Sequence, residues 1–218
     1  MDKEWDGRPD PELLLRQNFP EGESDGKGKL KIFFGYAAGV GKTYAMLDAA
    51  RQEKEAGRDV VAGYIEPHDR PDTMALLDGL EFLPPRTVGY KGIVLREFDL
   101  DAALIRRPDL ILVDELAHTN AQGSRHRKRC QDVTELLDAG INVYTTVNVQ
   151  HLESLHDIVA SITHVRVSER IPDSVFDNAS QVELVDISPE ELRQRLEEGK
   201  IYHKNQADKA KISFFTLE

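Results

Sequence analysis

The chain has 218 residues, 40 % hydrophobic and 31 % charged, with a formal net charge of −11 when histidine is neutral. That length and apolar content allow one domain with a sizeable core, and the negative balance argues against a surface built for nucleic acid or anionic lipid. The single cysteine, Cys130, excludes an internal disulfide framework; as a small buried apolar residue it suits a reducing cytoplasm.

No run approaches the ~18 apolar residues that span a bilayer, and the acidic start MDKEWDGRPD lacks the basic and apolar regions of a signal peptide. Residues 1–29 read as an arm, with a short helix in DPELLLRQ, capped by Asp10 and opened by Pro11, followed by a polar, Gly-rich linker. From Leu30 a domain over 30–218 is expected. Strand-length apolar runs LKIFFGY, DVVAGYIE, DLILVDE and INVYTTVN alternate with helical stretches near 42–56, 72–79, 99–106 and 128–139. This alternation predicts an α/β fold of three layers, a mainly parallel sheet between helices. Gly57 and Gly140 read as helix stops. Further on, HLESLHDIVASI reads as a helix, QVELVDI as a late strand, and SPEELRQRLEEG as a helix with Ser188 and Glu191 in a capping box, Leu192 and Leu196 buried, and Gly199 at its end. The chain stops on the apolar run KISFFTLE, which suggests a piece of a longer protein.

The segment GYAAGVGKTYAML nearly spells a phosphate-binding loop, G-x-x-x-x-G-K-[S/T], with Tyr36 at the first glycine position and Gly35 one residue early. In such a loop the backbone N–H groups of Gly39, Val40 and Gly41 face phosphates, at the positive end of the following helix. Lys42 would reach the β- and γ-phosphates. Thr43 would ligate Mg²⁺ together with Asp114, the acidic residue closing DLILVDE. The context agrees: an apolar strand precedes the loop and an amphipathic stretch follows it. A fold of the P-loop NTPase type, binding ATP and Mg²⁺, is the resulting expectation.

Glu115 stands where nucleotide hydrolases keep a water-activating carboxylate, and it could equally cap a turn or pair with a base. After it come His118 and Asn120, candidate γ-phosphate sensors or ordinary loop residues. Glu66 and His68 follow the second strand, and Thr146, Asn148 and Gln150 the fourth, at the sheet edge where open α/β sheets bind ligands. Within RHRKR, Arg125 or Lys128 could neutralise transferring phosphate charge, or the run could be a solvated helix face. The segment TTVNVQH lacks the lysine and aspartate of a guanine-reading Asn-Lys-x-Asp, so adenine is expected. No zinc spacing occurs among the seven histidines, and Mg²⁺ with nucleotide is the one metal expected.

KIFFGYAAGVGKTYAMLDAA, GYIEPHDRPDT, LVDELAHTNAQGSRHRKRCQDVTELLDAGINVYTTVNVQHLESL and EELRQRLEEGKIY closely resemble the N-terminal cytoplasmic domain of the KdpD family, the osmosensitive potassium-sensor histidine kinases of bacteria. The likeness runs over nearly the entire chain. It implies an ATP-binding domain on the cytoplasmic side of an inner-membrane protein, without membrane or nucleic-acid contact of its own. This domain would regulate a kinase region later in the polypeptide, beyond a universal-stress-protein-like domain and four transmembrane helices, and through it a response regulator. Gly39, Gly41, Lys42, Thr43 and Asp114 match the family's nucleotide motifs, and the family also carries a non-glycine residue at Tyr36. It tends to have glycine at His164, a departure that touches a turn. No phosphoacceptor motif H-[DE]-x-[RL]-T-P occurs in the sequence. The expected role is regulatory Mg-ATP binding; the rival readings are an active ATPase or small-molecule phosphotransferase, and an interaction module without nucleotide.

Overall fold

The computed structural model describes residues 26–66, 71–90 and 92–198. The short helix expected in the arm, His68, Gly199 and the KISFFTLE end lie outside these residues. The described elements, in chain order, are β1 (Leu30–Gly35), α1 (Lys42–Glu55), β2 (Val60–Tyr64), α2 (Pro71–Ala75), β3 (Glu81–Phe82), β4 (Arg86–Tyr90), β5 (Ile93–Glu97), α3 (Leu100–Arg106) and β6 (Leu110–Val113). They continue with α4 (Arg129–Asp138), β7 (Asn142–Asn148), a 3₁₀ turn (Val149–His151), α5 (His156–Thr163), α6 (Asp173–Asp177), β8 (Gln181–Leu184) and α7 (Pro189–Glu197).

Among the described residues one sheet has six strands in the order β3-β2-β6-β7-β1-β8, with every neighbouring pair parallel. Strands buried on both faces read as near-continuous apolar runs, and here alternate side chains serve two cores. Ile32, Val61, Ile111 and Val143 point to the face packed by Ala103 of α3 and by Val133 and Leu136 of α4. Phe33, Val60, Ala62, Leu110 and Leu112 point to the other, packed by Met46, Leu47 and Ala50 of α1. Each such fully buried aliphatic contributes roughly 1.5–3 kcal/mol. The α/β three-layer architecture expected from the alternation is therefore present.

Three local features differ from expectation. Helix α2 is shorter than 72–79 and gives way to turns after Ala75. The stretch from His151 does not form one helix: a 3₁₀ turn ends at His151 and α5 begins only at His156. The cause is a long-range pairing, in which Ile171 N donates to the His151 carbonyl and Glu153 N to that of Ile171, taking the backbone in between out of helical bonding. An antiparallel hairpin, β4 with β5, was not legible as strands; Ile93 and Val94 are exposed, and it forms its own two-stranded sheet.

Other expectations hold. Gly57 and Gly140 have φ of 90° and 85° at the ends of α1 and α4. Glu191 N donates to Ser188 Oγ at 3.1 Å and Leu192 is buried, while the Glu191 carboxylate turns to Arg195 rather than back to Ser188. His164 caps α5 with φ 56°, in the left-handed region that favours glycine. Its departure from the family pattern thus falls where the backbone most favours the replaced residue.

Candidate functional site

At the carboxyl edge of the sheet, between β1, β6 and β7, a cleft of about 240 Å³ opens. Gly39, Gly41, Lys42 and Thr43 form one wall, Asp114, Glu115 and His118 another, and Thr146 and Asn148 the end of β7. Nine of the predicted site residues are thereby brought together.

The loop between β1 and α1 is built without its first glycine. Gly39 and Gly41 adopt φ of 89° and 106°, whereas among the described residues the non-glycine left-handed conformations belong to Arg107, Glu115 and His164. Tyr36 therefore needs no glycine-like freedom. Its hydroxyl donates to the Ile187 carbonyl at 3.1 Å, fastening the loop to the segment after β8. Clearance is supplied by Gly35 instead. A Cβ there would lie 2.7 Å from Val40 Cγ2 and 3.0 Å from Lys42 Cδ, so the bare backbone makes room for the lysine stem. Lys42 is buried and its Nζ donates to the Ala37 carbonyl at 2.8 Å. Val40 is buried under the loop, and Arg195 of α7 donates to the Gly39 carbonyl at 3.3 Å.

Asp114 is 1 % exposed and is held from several sides. Thr43 Oγ1 donates to its Oδ2 at 3.2 Å, Thr146 Oγ1 donates to Oδ1, and the Glu115 N–H to Oδ1 at 3.1 Å. Glu66 N approaches Oδ2 at 3.4 Å, so Glu66 supports Asp114 from behind, with its own carboxylate accepting from Tyr64. Glu115 has φ 58°, a strained conformation for a non-glycine residue, which turns its side chain into the open cleft. Loss of water around the carboxyl, then repulsion from Asp114 and Glu66, push its pKa up to about 7.

Behind the cleft sits Arg129, wholly buried at the start of α4. It donates to the Asp114 carbonyl at 2.9 Å, lies 3.5 Å from Glu97 Oε2 and stacks 4.2 Å from the Tyr64 ring centroid. Burial opposes ionisation of Glu97, yet the His118 ring, the Ala121 N–H and Arg129 outweigh it and hold the carboxyl below its usual range. His118 Nε2 is 3.1 Å from Glu97 Oε2, which fixes the imidazole at the cleft wall.

Some candidates lie elsewhere. Arg125 forms ion pairs with Asp101 and Glu135, away from the cleft lining, and Lys128 donates to Thr119 Oγ1 at 2.8 Å. Asn120 binds the His126 carbonyl and Asp132, shaping the loop before α4, and Gln150 is outside the lining. Two polar lining residues were not foreseen. His151 lies three positions beyond Asn148 on the same strand end, a signal that was available. Glu169 had no local signal, because the Ile171–His151 backbone bond brings it in.

These features define a three-layer α/β domain whose glycine-rich strand-to-helix turn faces a fixed aspartate across the sheet edge. The chain belongs to the family described as KdpD, osmosensitive K⁺ channel His kinase sensor domain, whose model matches residues 26–218. It is 62 % identical over 96 % of its length to sensor protein KdpD of Clostridium acetobutylicum and 56 % identical over 95 % to that of Escherichia coli, spanning 23 % of each relative. A putative sensor protein KdpD of Synechocystis is 51 % identical over 87 % of the chain, which covers 51 % of that protein. Among the described residues no helix is long and apolar enough to cross a membrane.

Proposed function

We propose that this chain is the regulatory Mg-ATP-binding domain of a potassium or osmotic-stress sensor histidine kinase, cytoplasmic and joined to the kinase region of the same polypeptide at a bacterial inner membrane. Nucleotide occupancy changes how the domain docks on that region, and so the signal passed to a response regulator. The observation that carries this reading is the Lys42 stem lying over bare Gly35, with the Thr43 hydroxyl on Asp114 3.2 Å away in the same cleft.

The residues fit Mg-ATP on structural grounds. Asn148 Oδ1 is buried at the cleft without a hydrogen-bond partner, a polar atom that a ligand group would satisfy. Lys42 Nζ would exchange the Ala37 carbonyl for β- and γ-phosphate oxygens, and the loop N–H groups would hold the rest. Among the described residues no cluster of three or more His, Cys, Asp or Glu offers a metal a site of its own, so Thr43 and Asp114 would hold Mg²⁺ jointly with phosphate. The ion would neutralise charge on those oxygens. Glu66 and His118 act by keeping Asp114 and the cleft wall in place.

A second reading, slow hydrolysis or phosphoryl transfer, is favoured by one observation: Glu115, at about 7, is poised for proton exchange near neutrality inside the cleft. Titration calorimetry with ATP, GTP and a non-hydrolysable analogue, followed by product assay, separates the readings. Binding of ATP without turnover supports regulation, acceptor-dependent turnover supports transfer, and no binding of Mg-ATP removes both. Lys42→Ala should lose a charge-assisted bond worth about 1.5–3 kcal/mol and weaken ATP roughly ten- to a hundredfold. Unchanged affinity would overturn the site assignment.

A further inference from the structure

A second, larger recess of about 680 Å³ lies beside the cleft, and His151 and Glu169 line both. Its other walls come from two stretches of irregular chain, Arg127 and Lys128 before α4 and Arg166 to Ser168 after α5. Both stretches are fastened. Thr119 bridges Lys128, Asn120 N donates to the Arg127 carbonyl at 3.0 Å, and Ile171 N to the His151 carbonyl at 2.8 Å.

The charge of this recess runs against that of the chain. Asp and Glu outnumber Lys and Arg by 39 to 28, and Arg106, Arg125, Arg129 and Arg195 all sit on carboxylates. Arg127 and Arg166 do not: among the described residues neither side chain forms an ion pair or hydrogen bond, although both line the recess. Among the described residues the recess has one carboxylate, Glu169, which already accepts from Thr119 N at 2.7 Å and lies 3.9 Å from His118. Lys128 uses one of its three donors on Thr119 Oγ1 among the described residues. Burial keeps His151 below its usual range, and its Nδ1 donates to the Glu169 carbonyl at 2.8 Å. Two unmatched guanidinium forks with an ammonium and the Ser168 hydroxyl suit a compact oxyanion with several acceptor oxygens.

We propose that the recess walled by Arg127, Lys128 and Arg166 is a separate anion site that takes a small phosphate-bearing molecule, apart from the cleft around Lys42. This does not rest on ATP binding in that cleft.

The test is a titration of isotope-labelled chain with sodium pyrophosphate at constant ionic strength, followed by NMR. The Nε–H signals of Arg127 and Arg166 and the amides of Val167 and Ser168 report the recess; the amides of Gly39 and Gly41 report the cleft. Saturable shifts at the recess are expected, weakened about tenfold or more in Arg127→Ala/Arg166→Ala, with the response of Gly39 and Gly41 left as it was. Both arginines are exposed, so the variant should fold. Inorganic phosphate and ribose 5-phosphate, run in parallel, tell a free anion from a phosphate ester by which saturates at lower concentration. Shifts confined to Gly39 and Gly41, a response that sodium chloride reproduces, or saturation by a hexaglutamate peptide but not by pyrophosphate would each overturn the proposal. None of these outcomes at the recess bears on whether the cleft binds ATP.

Discussion

Gly35 and Lys42 are packed so that a Cβ on the first would stand 3.0 Å from Cδ of the second. The same Cβ would meet Val40 Cγ2 at 2.7 Å and the Val185 carbonyl at 3.0 Å, and that backbone oxygen belongs to the chain just after β8. Gly35→Ala is therefore expected to destabilise the fold by about 1–3 kcal/mol through overpacking and to displace the lysine stem. Urea unfolding gives the first quantity and calorimetry with Mg-ATP the second. An alanine variant of wild-type stability would mean the loop yields freely.

Tyr36 tests the other half of the motif. Because its φ is not left-handed, restoring glycine with Tyr36→Gly gains no conformational relief. It adds chain entropy and removes the bond to Ile187, together about 1–2.5 kcal/mol of lost stability. The unfolding midpoint should fall and ATP affinity should not improve. A tighter-binding glycine variant would show that the tyrosine is an impediment.

Glu115 predicts a pH dependence with a definite sign. Its carboxyl is raised from 4.5 to about 7 in the folded chain, so folding favours the protonated form. That contribution is present below pH 4.5 and lost as pH rises through about 7. The stability of the wild type minus that of Glu115→Gln should accordingly decline across this window, measured by urea unfolding at a series of pH values. A pH-independent difference would place the titration elsewhere.

Arg129→Met would strip Glu97 of its buried cation and free the Asp114 carbonyl, with an expected loss of about 3–5 kcal/mol. Thermal unfolding would report it. Arg129→Lys should recover only part, since an ammonium cannot bridge carbonyl and carboxylate while lying flat on Tyr64.

What could be read in advance follows from range. β1, β2, β6 and β7 are buried on both faces, so their composition alone marks them; Asp114 and Glu115 after β6 and Thr146 and Asn148 of β7 line one cleft, whereas Glu66 after β2 and Gln150 after β7 do not. The hairpin β4–β5 carries mixed, mostly exposed residues and has no such mark. Arg129 was hidden inside the basic run RHRKR, although it heads the buried stripe continued by Val133 and Leu136, a spacing that could have set it apart from Arg125. Glu97 and Glu169 reach the site only through contacts with chain far away, His118 and Arg129 for one and His151 and Thr119 for the other. Local pattern holds no trace of such pairings.

The position of β1 between β7 and β8 has a consequence for synthesis. Leu30 finds its partner Val143 only after all of the chain between them has been made, and the opposite edge of β1 waits for Val182. The first of the described strands to emerge is thus among the last to be enclosed, and closing so long a span before any gain slows folding. The glycine-rich turn acquires Asp114 from β6 and Thr146 from β7 as facing partners at that late stage. A nascent chain stopped before β7 holds the motif without the cleft, so competence at the site reports that translation has passed the central strand.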